Sequence, residues 1–298
     1  TGSYNVAVGS LSLDANTTAS QNVSIGYNSS SATTTGGNNT AVGNSAFTTN
    51  TTGAQNVAIG RNALDANTTG SYNTSLGESS LSANTTADSN TAVGASALNA
   101  NTTGEFNTAV GREALEANTT ADHLTALGRR ALALNTTGEE NTAVGSRTLY
   151  ANTTGAYNTA IGKGALTANT TGQYNVAVGA GALDANTTAN SNEAIGYHAL
   201  GSNTTGIRNE AFGNNTLNAN TTASNNLGVG TDTLRANTTG ANNVALGYNT
   251  LTNSTTGGYN TAVGVYSLDA NTTATNNTTV GYASLGANTT GHDNTALG

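Results

Sequence analysis

An all-β solenoid of about 17 coils, one 17-residue repeat per coil, is the fold that three features of the sequence predict. The motif N-T-A-V-G or a near variant returns at a constant interval, from Asn5 to Asn22 to Asn39 and on to Asn294, 18 times, with no insertion or deletion. Composition departs from that of an ordinary enzyme domain: charged residues are 8 %, Gly numbers 37, and Pro, Cys, Met and Trp are absent. Finally, with the Asn of the motif as position 1 of the consensus N-T-A-V-G-x-x-A-L-x-A-N-T-T-G-x-x, all 24 Lys, Arg, Asp and Glu fall at positions 2, 6, 7, 10, 16 and 17. Burying an unpaired charge is costly, so those positions face solvent.

The elements follow in order along the unit. N-T-A-V reads as a strand ending at the Gly of position 5, x-x as a corner, A-L-x-A as a second short strand, and N-T-T-G as a polar turn that closes the coil. A helix is disfavoured by the central Gly and the paired Thr, and a unit this short cannot hold a helical hairpin of useful length. Position 5 is Gly in every copy, which implies positive φ or a close backbone approach, whereas position 15 accepts Gly or Ala and needs only a small residue. Position 4 is always apolar and position 9 is Leu except at Ser30 and Phe47, which assigns both to the core. Asn at position 1 gives way once, to Leu124, a pattern that predicts an inward ladder of stacked amides. Residues 1–298 thus read as a single continuous repeat domain, a rod on the order of 80 Å long with strands about 4.8 Å apart. Both ends fall within a unit, as expected of an interior segment of a longer fibre.

The absence of cysteine excludes disulfides, thiolate metal sites and cysteine nucleophiles. A net charge of −8 has the wrong sign for neutralising phosphates, and no apolar run approaches membrane-spanning length, so neither nucleic acid nor membrane insertion is expected. Each coil buries little apolar surface against the entropy of ordering a whole repeat, which favours self-association into a homo-oligomeric fibre.

The units N-T-A-[VI]-G-x-x-A-L resemble the N-S-x-A-[IV]-G units of trimeric autotransporter adhesin heads and the NTAxG and NTTG repeats of phage-type tail fibres, over the whole chain. The resemblance implies a β-roll, side-by-side association of three chains, and attachment or reach at a cell surface or virion.

Two sets of residues are candidates for surface function. Sequons mark Asn16, Asn50, Asn67, Asn84, Asn101, Asn118, Asn135, Asn152, Asn169, Asn186, Asn203, Asn220, Asn237, Asn253, Asn271 and Asn288 as glycosylation candidates. Against this stands a structural reading, in which the same Asn cap turns and the paired Thr form hydroxyl ladders. Tyr4, Tyr27, Tyr72, Tyr157, Tyr174, Tyr197, Tyr248, Tyr259 and Tyr282 occupy outward positions and are candidate contact residues for a seam, a glycan or a receptor. His123, His198 and His292 lie on distant coils, so no catalytic or metal site and no cofactor is expected beyond covalent glycans. The functional expectation is a non-enzymatic structural subunit of an extracellular or virion fibre, glycan-coated and adhesive. The alternative is a β-solenoid module whose Thr row binds carbohydrate or ice.

Overall fold

The computed structural model describes residues 2–298 and contains, among them, eighteen three-residue strands and no helix. The protein is an all-β parallel solenoid with a 17-residue repeat. It comprises two compact units, Thr1–Arg147 and Thr148–Gly298. The first holds β1 (Val6–Val8) through β9 (Thr142–Val144), and the second β10 (Thr159–Ile161) through β18 (Thr295–Leu297). Within each unit every strand pairs in parallel with its counterpart in the next coil, for instance Thr91 with Thr108 and Val176 with Glu193.

The expected second strand is absent. Positions 6 to 11 form a turn in which positions 7 and 9 have left-handed backbone, and position 17 adopts the same conformation, as Asn62, Leu64 and Tyr72 illustrate (φ 55°, 54° and 60°). Left-handed geometry costs an L-residue on the order of 1 kcal/mol, yet here it keeps each bend's peptide groups aimed at the neighbouring coils. In the coil from Asn56 to Tyr72, the N–H groups of Val57, Leu64, Ala66 and Thr68 donate to carbonyls of the next coil. Those of Gly60, Asn62 and Tyr72 donate to the coil before. Main-chain pairing therefore continues around the turns, where side chains such as Leu64 still point inward.

Gly at position 5 satisfies both expected reasons at once. Its φ lies between +116° and +145° in all copies, and a Cβ on Gly111 would sit 2.6 Å from the carbonyl of Gly128.

The interior is narrow and largely polar in composition. In one coil Asn90, Ala92, Ala97, Leu98 and Asn101, from positions 1, 3, 8, 9 and 12, are all fully buried. Hydroxyls at positions 3 and 8 are paired inside it: Ser75 Oγ donates to the carbonyl of Ser80 (2.8 Å), and Thr216 Oγ1 to that of Gly230 (2.6 Å).

Two asparagine columns converge on one carbonyl per coil. The oxygen of Gly70, at position 15, accepts Nδ2 of Asn56 (2.9 Å) and Nδ2 of Asn67 (3.0 Å). Gly206 does the same with Asn192 and Asn203 (2.9 Å each). Each position-1 Oδ1 then accepts the backbone N–H of the next position 1, as Asn90 does from Asn107 (3.0 Å). The inward ladder read from the sequence is present, and Leu124 shows how it survives interruption. Its N–H still reaches Asn107 Oδ1 (2.9 Å), and Nδ2 of Asn141 takes over the carbonyl of Gly138 (3.3 Å). Where Ser254 replaces the position-12 amide, Oδ1 of Asn237 is left buried without a donor.

Position 4 departs from expectation. None of its eighteen residues is buried; Leu127 is 45 % and Ile161 41 % exposed, because position 3 points inward and a strand alternates its faces. Uncharged character therefore does not mark the interior at position 4, nor at position 14, where Thr86 is exposed.

Replacing Asn90 by Ala removes one hydrogen bond to Gly104 and one from Asn107 inside the wall. The urea midpoint followed by circular dichroism is expected to fall by the equivalent of about 2–4 kcal/mol. Thr86→Ala, at an exposed site, is expected to leave the midpoint within about 0.5 kcal/mol of wild type.

Candidate functional surfaces

A strand of three residues with one inward side chain presents the other two to solvent. Positions 2 and 4 thus form the outer sheet face of each unit. Position 4 contributes Val, Ile, Leu or Phe in every copy. Position 2 is Val or Thr in all nine strands of the first unit, whereas the second unit carries Glu193 and Glu210 there. The first unit therefore has an uncharged two-row face whose aliphatic column repeats at the strand spacing of about 4.8 Å. The sequence reading misses this surface, although the two glutamates at position 2 and the period of 2 in a strand together place position 4 outside.

The sixteen candidate glycosylation asparagines fall into two groups. Thirteen of the sixteen are buried: Asn50, Asn67, Asn84, Asn101, Asn118, Asn135, Asn152, Asn169, Asn186, Asn203, Asn220, Asn237 and Asn271. Nδ2 of Asn67 is typical, donating to Oδ1 of Asn50 (3.1 Å) and to the carbonyl of Gly70 (3.0 Å). Both amide hydrogens are engaged, and a sugar on that nitrogen would replace one of them and place its bulk in the interior. Asn16 and Asn288 are half-buried, while Asn253, displaced by one residue from the column, is exposed and donates to the carbonyl of Asp269 (2.9 Å).

The paired threonines divide likewise. At position 13 the hydroxyl donates to the same residue's carbonyl one coil on, as from Thr51 to Thr68 (3.1 Å). Position 14 carries its side chain outward, giving a single file of exposed Thr.

The nine candidate tyrosines, Tyr4, Tyr27, Tyr72, Tyr157, Tyr174, Tyr197, Tyr248, Tyr259 and Tyr282, are all exposed. Tyr157 and Tyr174 share position 17 of successive coils and stack at 5.1 Å, and Phe106 stacks on His123 in the same way at 5.2 Å. Tyr248, Tyr266 and Tyr282 meet edge to face. The structure brings these neighbours together in pairs and leaves Tyr4, Tyr27, Tyr72 and Tyr259 apart from such contacts among the described aromatic pairs.

Charges pair along the stack too. Arg61 meets Glu78 one coil on, and Glu113 lies between Arg112 and Arg130. The hydrogen bond from Arg130, more than any other effect, holds the Glu113 carboxyl below the usual carboxylate range. Asp65 and Asp184, at position 10, are pushed above it by burial. Among the described residues no group of three or more His, Asp and Glu is placed to hold a metal ion, and no helix is long and apolar enough to cross a membrane.

Taken together, these surfaces belong to a parallel β-solenoid whose amides are internal and whose aliphatic, threonine and aromatic columns are external. Compared with known family models, curated proteins and solved structures, the chain finds no match.

The tryptic peptide of residues 131–147 contains Asn135 as its sole sequon. From folded protein expressed in a secretory host it is expected to be bare at Asn135, with any hexose-type mass located on exposed Thr137. Conversion of Asn135 to Asp by amidase release, read by mass spectrometry, would contradict the burial argument.

Proposed function

We propose that the chain is a structural subunit of an extracellular or virion fibre and that copies of it associate through the position-4 column. The observation that carries this reading is a position that faces solvent and is nevertheless apolar in all 18 repeats. Outward aliphatic side chains on nine successive strands, exposed at Val8, Ile25, Leu76 and Leu127 and half-buried at the other five, offer on the order of 500 Å², the size at which an apolar patch marks an interaction site. Two such faces together remove on the order of 1,000 Å² from water, the lower bound of a specific interface. A partner must match a column repeating at about 4.8 Å over many strands, and a second copy of this chain has that period built in. The motif resemblance to trimeric adhesin heads and tail-fibre shafts supports the same reading and suggests three chains. Exposed tyrosines would serve adhesion, and glycans, where carried, would sit on Asn253 or on position-14 threonines.

Position 4 points outward, and Leu76 and Leu127 there are exposed and three coils apart, so Leu76→Lys with Leu127→Lys tests the seam directly. Light scattering on size-separated protein is expected to give a multiple of 29.4 kDa for wild type and a single-chain mass for the double variant, with unchanged circular dichroism. A wild-type monomer at tens of micromolar, or a variant that assembles equally well, would overturn the proposal.

The exposed Thr file at position 14 favours a second reading, recognition of ice or an ordered polysaccharide. One file, with the adjacent hydroxyls already bonded to the backbone, makes a narrow recognition surface. Thermal hysteresis is the discriminating measurement: its absence is the expected result, and clear activity that Thr-to-Lys changes at position 14 abolish would establish this reading instead.

A further inference from the structure

Position 7 carries a side chain in every coil except two consecutive ones, where Gly164 and Gly181 occupy it with φ of 70° and 67°. Two missing side chains in succession leave a cleft of about 420 Å³ in the second unit. Its end is closed by the next residue in the same file, His198, whose imidazole lies so far over Gly181 that a Cβ there would be 2.7 Å from Cε1. The neighbouring file, position 6, runs Lys163, Ala180, Tyr197, so the small middle residue widens the cleft between an exposed ammonium and an exposed phenol ring. Tyr197 packs edge-on against His198 at 4.2 Å, which fixes the ring as a wall. On the opposite side stands position 10, with Thr167 and the half-buried carboxylate of Asp184.

We propose that this cleft binds one pyranose unit of a saccharide, with a sugar face against Tyr197 and sugar hydroxyls shared between Asp184 and Lys163. The volume lies within the range of small-ligand sites. An aromatic wall offers the apolar surface that the C–H face of a sugar needs. A carboxylate accepts and an ammonium donates, which matches hydroxyl groups, since these do both. With one charge of each sign across the cleft, a neutral polyhydroxylated ligand leaves no charge uncompensated. The inference deepens the adhesive part of the proposed function by naming its site and ligand class. A soluble probe reads it independently of self-association, so either proposal can fail without the other.

Saturation-transfer NMR on the full chain, with methyl glycosides of glucose, galactose, mannose and N-acetylglucosamine as probes, is the test. The variants use residues that other coils already carry at the same positions, so the fold persists. Gly164→Asn refills the notch as Asn62 does in its own coil, Tyr197→Ala follows Ala95, and Asp184→Ala follows Ala133. Transfer to at least one glycoside is expected in wild type, falling at least five-fold in each of the three variants and persisting in Tyr174→Ala, which lies outside the cleft. No transfer to any of the four glycosides, or transfer that survives Gly164→Asn and Tyr197→Ala, overturns the site. Transfer to glycine zwitterion in place of the glycosides overturns the ligand class.

Discussion

The carbonyl oxygen of position 15 takes amide hydrogens from two asparagines of its own repeat, one at position 1 and one at position 12, and the rest of the fold depends on that clamp. So short a coil encloses little more than one leucine and a few small side chains, too narrow a space for an oil-like core. Polar groups in such a space are tolerable where they are paired, and the asparagine columns pair the coil walls to each other and to the adjacent coils. Small residues at positions 3, 8 and 15 follow from the same narrowness. The response to Leu124, where the Asn141 amide donates to Gly138, shows that the carbonyl keeps two donors even when the column is broken.

Backbone conformation supplies the second constraint. Three left-handed residues per coil carry the chain around its corners while the main-chain ladder continues, and the strained geometry is offset by hydrogen bonds that a conventional corner would surrender to water. Gly at position 5 is required by φ and by the next coil's carbonyl together, so no other residue fits there. The charges and the tyrosines are confined to positions 2, 6, 7, 10, 16 and 17.

Much of this is legible in the repeat because the chain compares itself with itself 18 times. The period fixes the solenoid, the single Leu124 exception reveals an enclosed amide column, and the Gly at position 5 announces its own geometry. What escapes is conformation without a chemical signature. Leu at position 9 is as apolar as a strand residue, so its left-handed backbone gives no sign, although Asn, Ser and Gly at positions 7 and 17 hint at theirs. Position 4 misleads because uncharged and buried are treated as one property. The outward aliphatic column is consistent with strand alternation once Glu193 and Glu210 define the solvent side at position 2. Burial of the sequon asparagines is a matter of which way a turn folds, and the sequence alone leaves that open.

Because the coil-to-coil hydrogen bonds run along the stacking direction, a pull on the two ends of either unit would load its successive coils in series. Each coil that yields gives up its clamp and its share of the ladder together and releases one repeat, roughly 50–60 Å of extended chain. The near-identity of the coils makes those steps equal in length and close in resistance. Tension on a unit would then be absorbed as a sequence of small ruptures, each coil acting as one link of a mechanical fuse that lengthens before the covalent backbone bears the load.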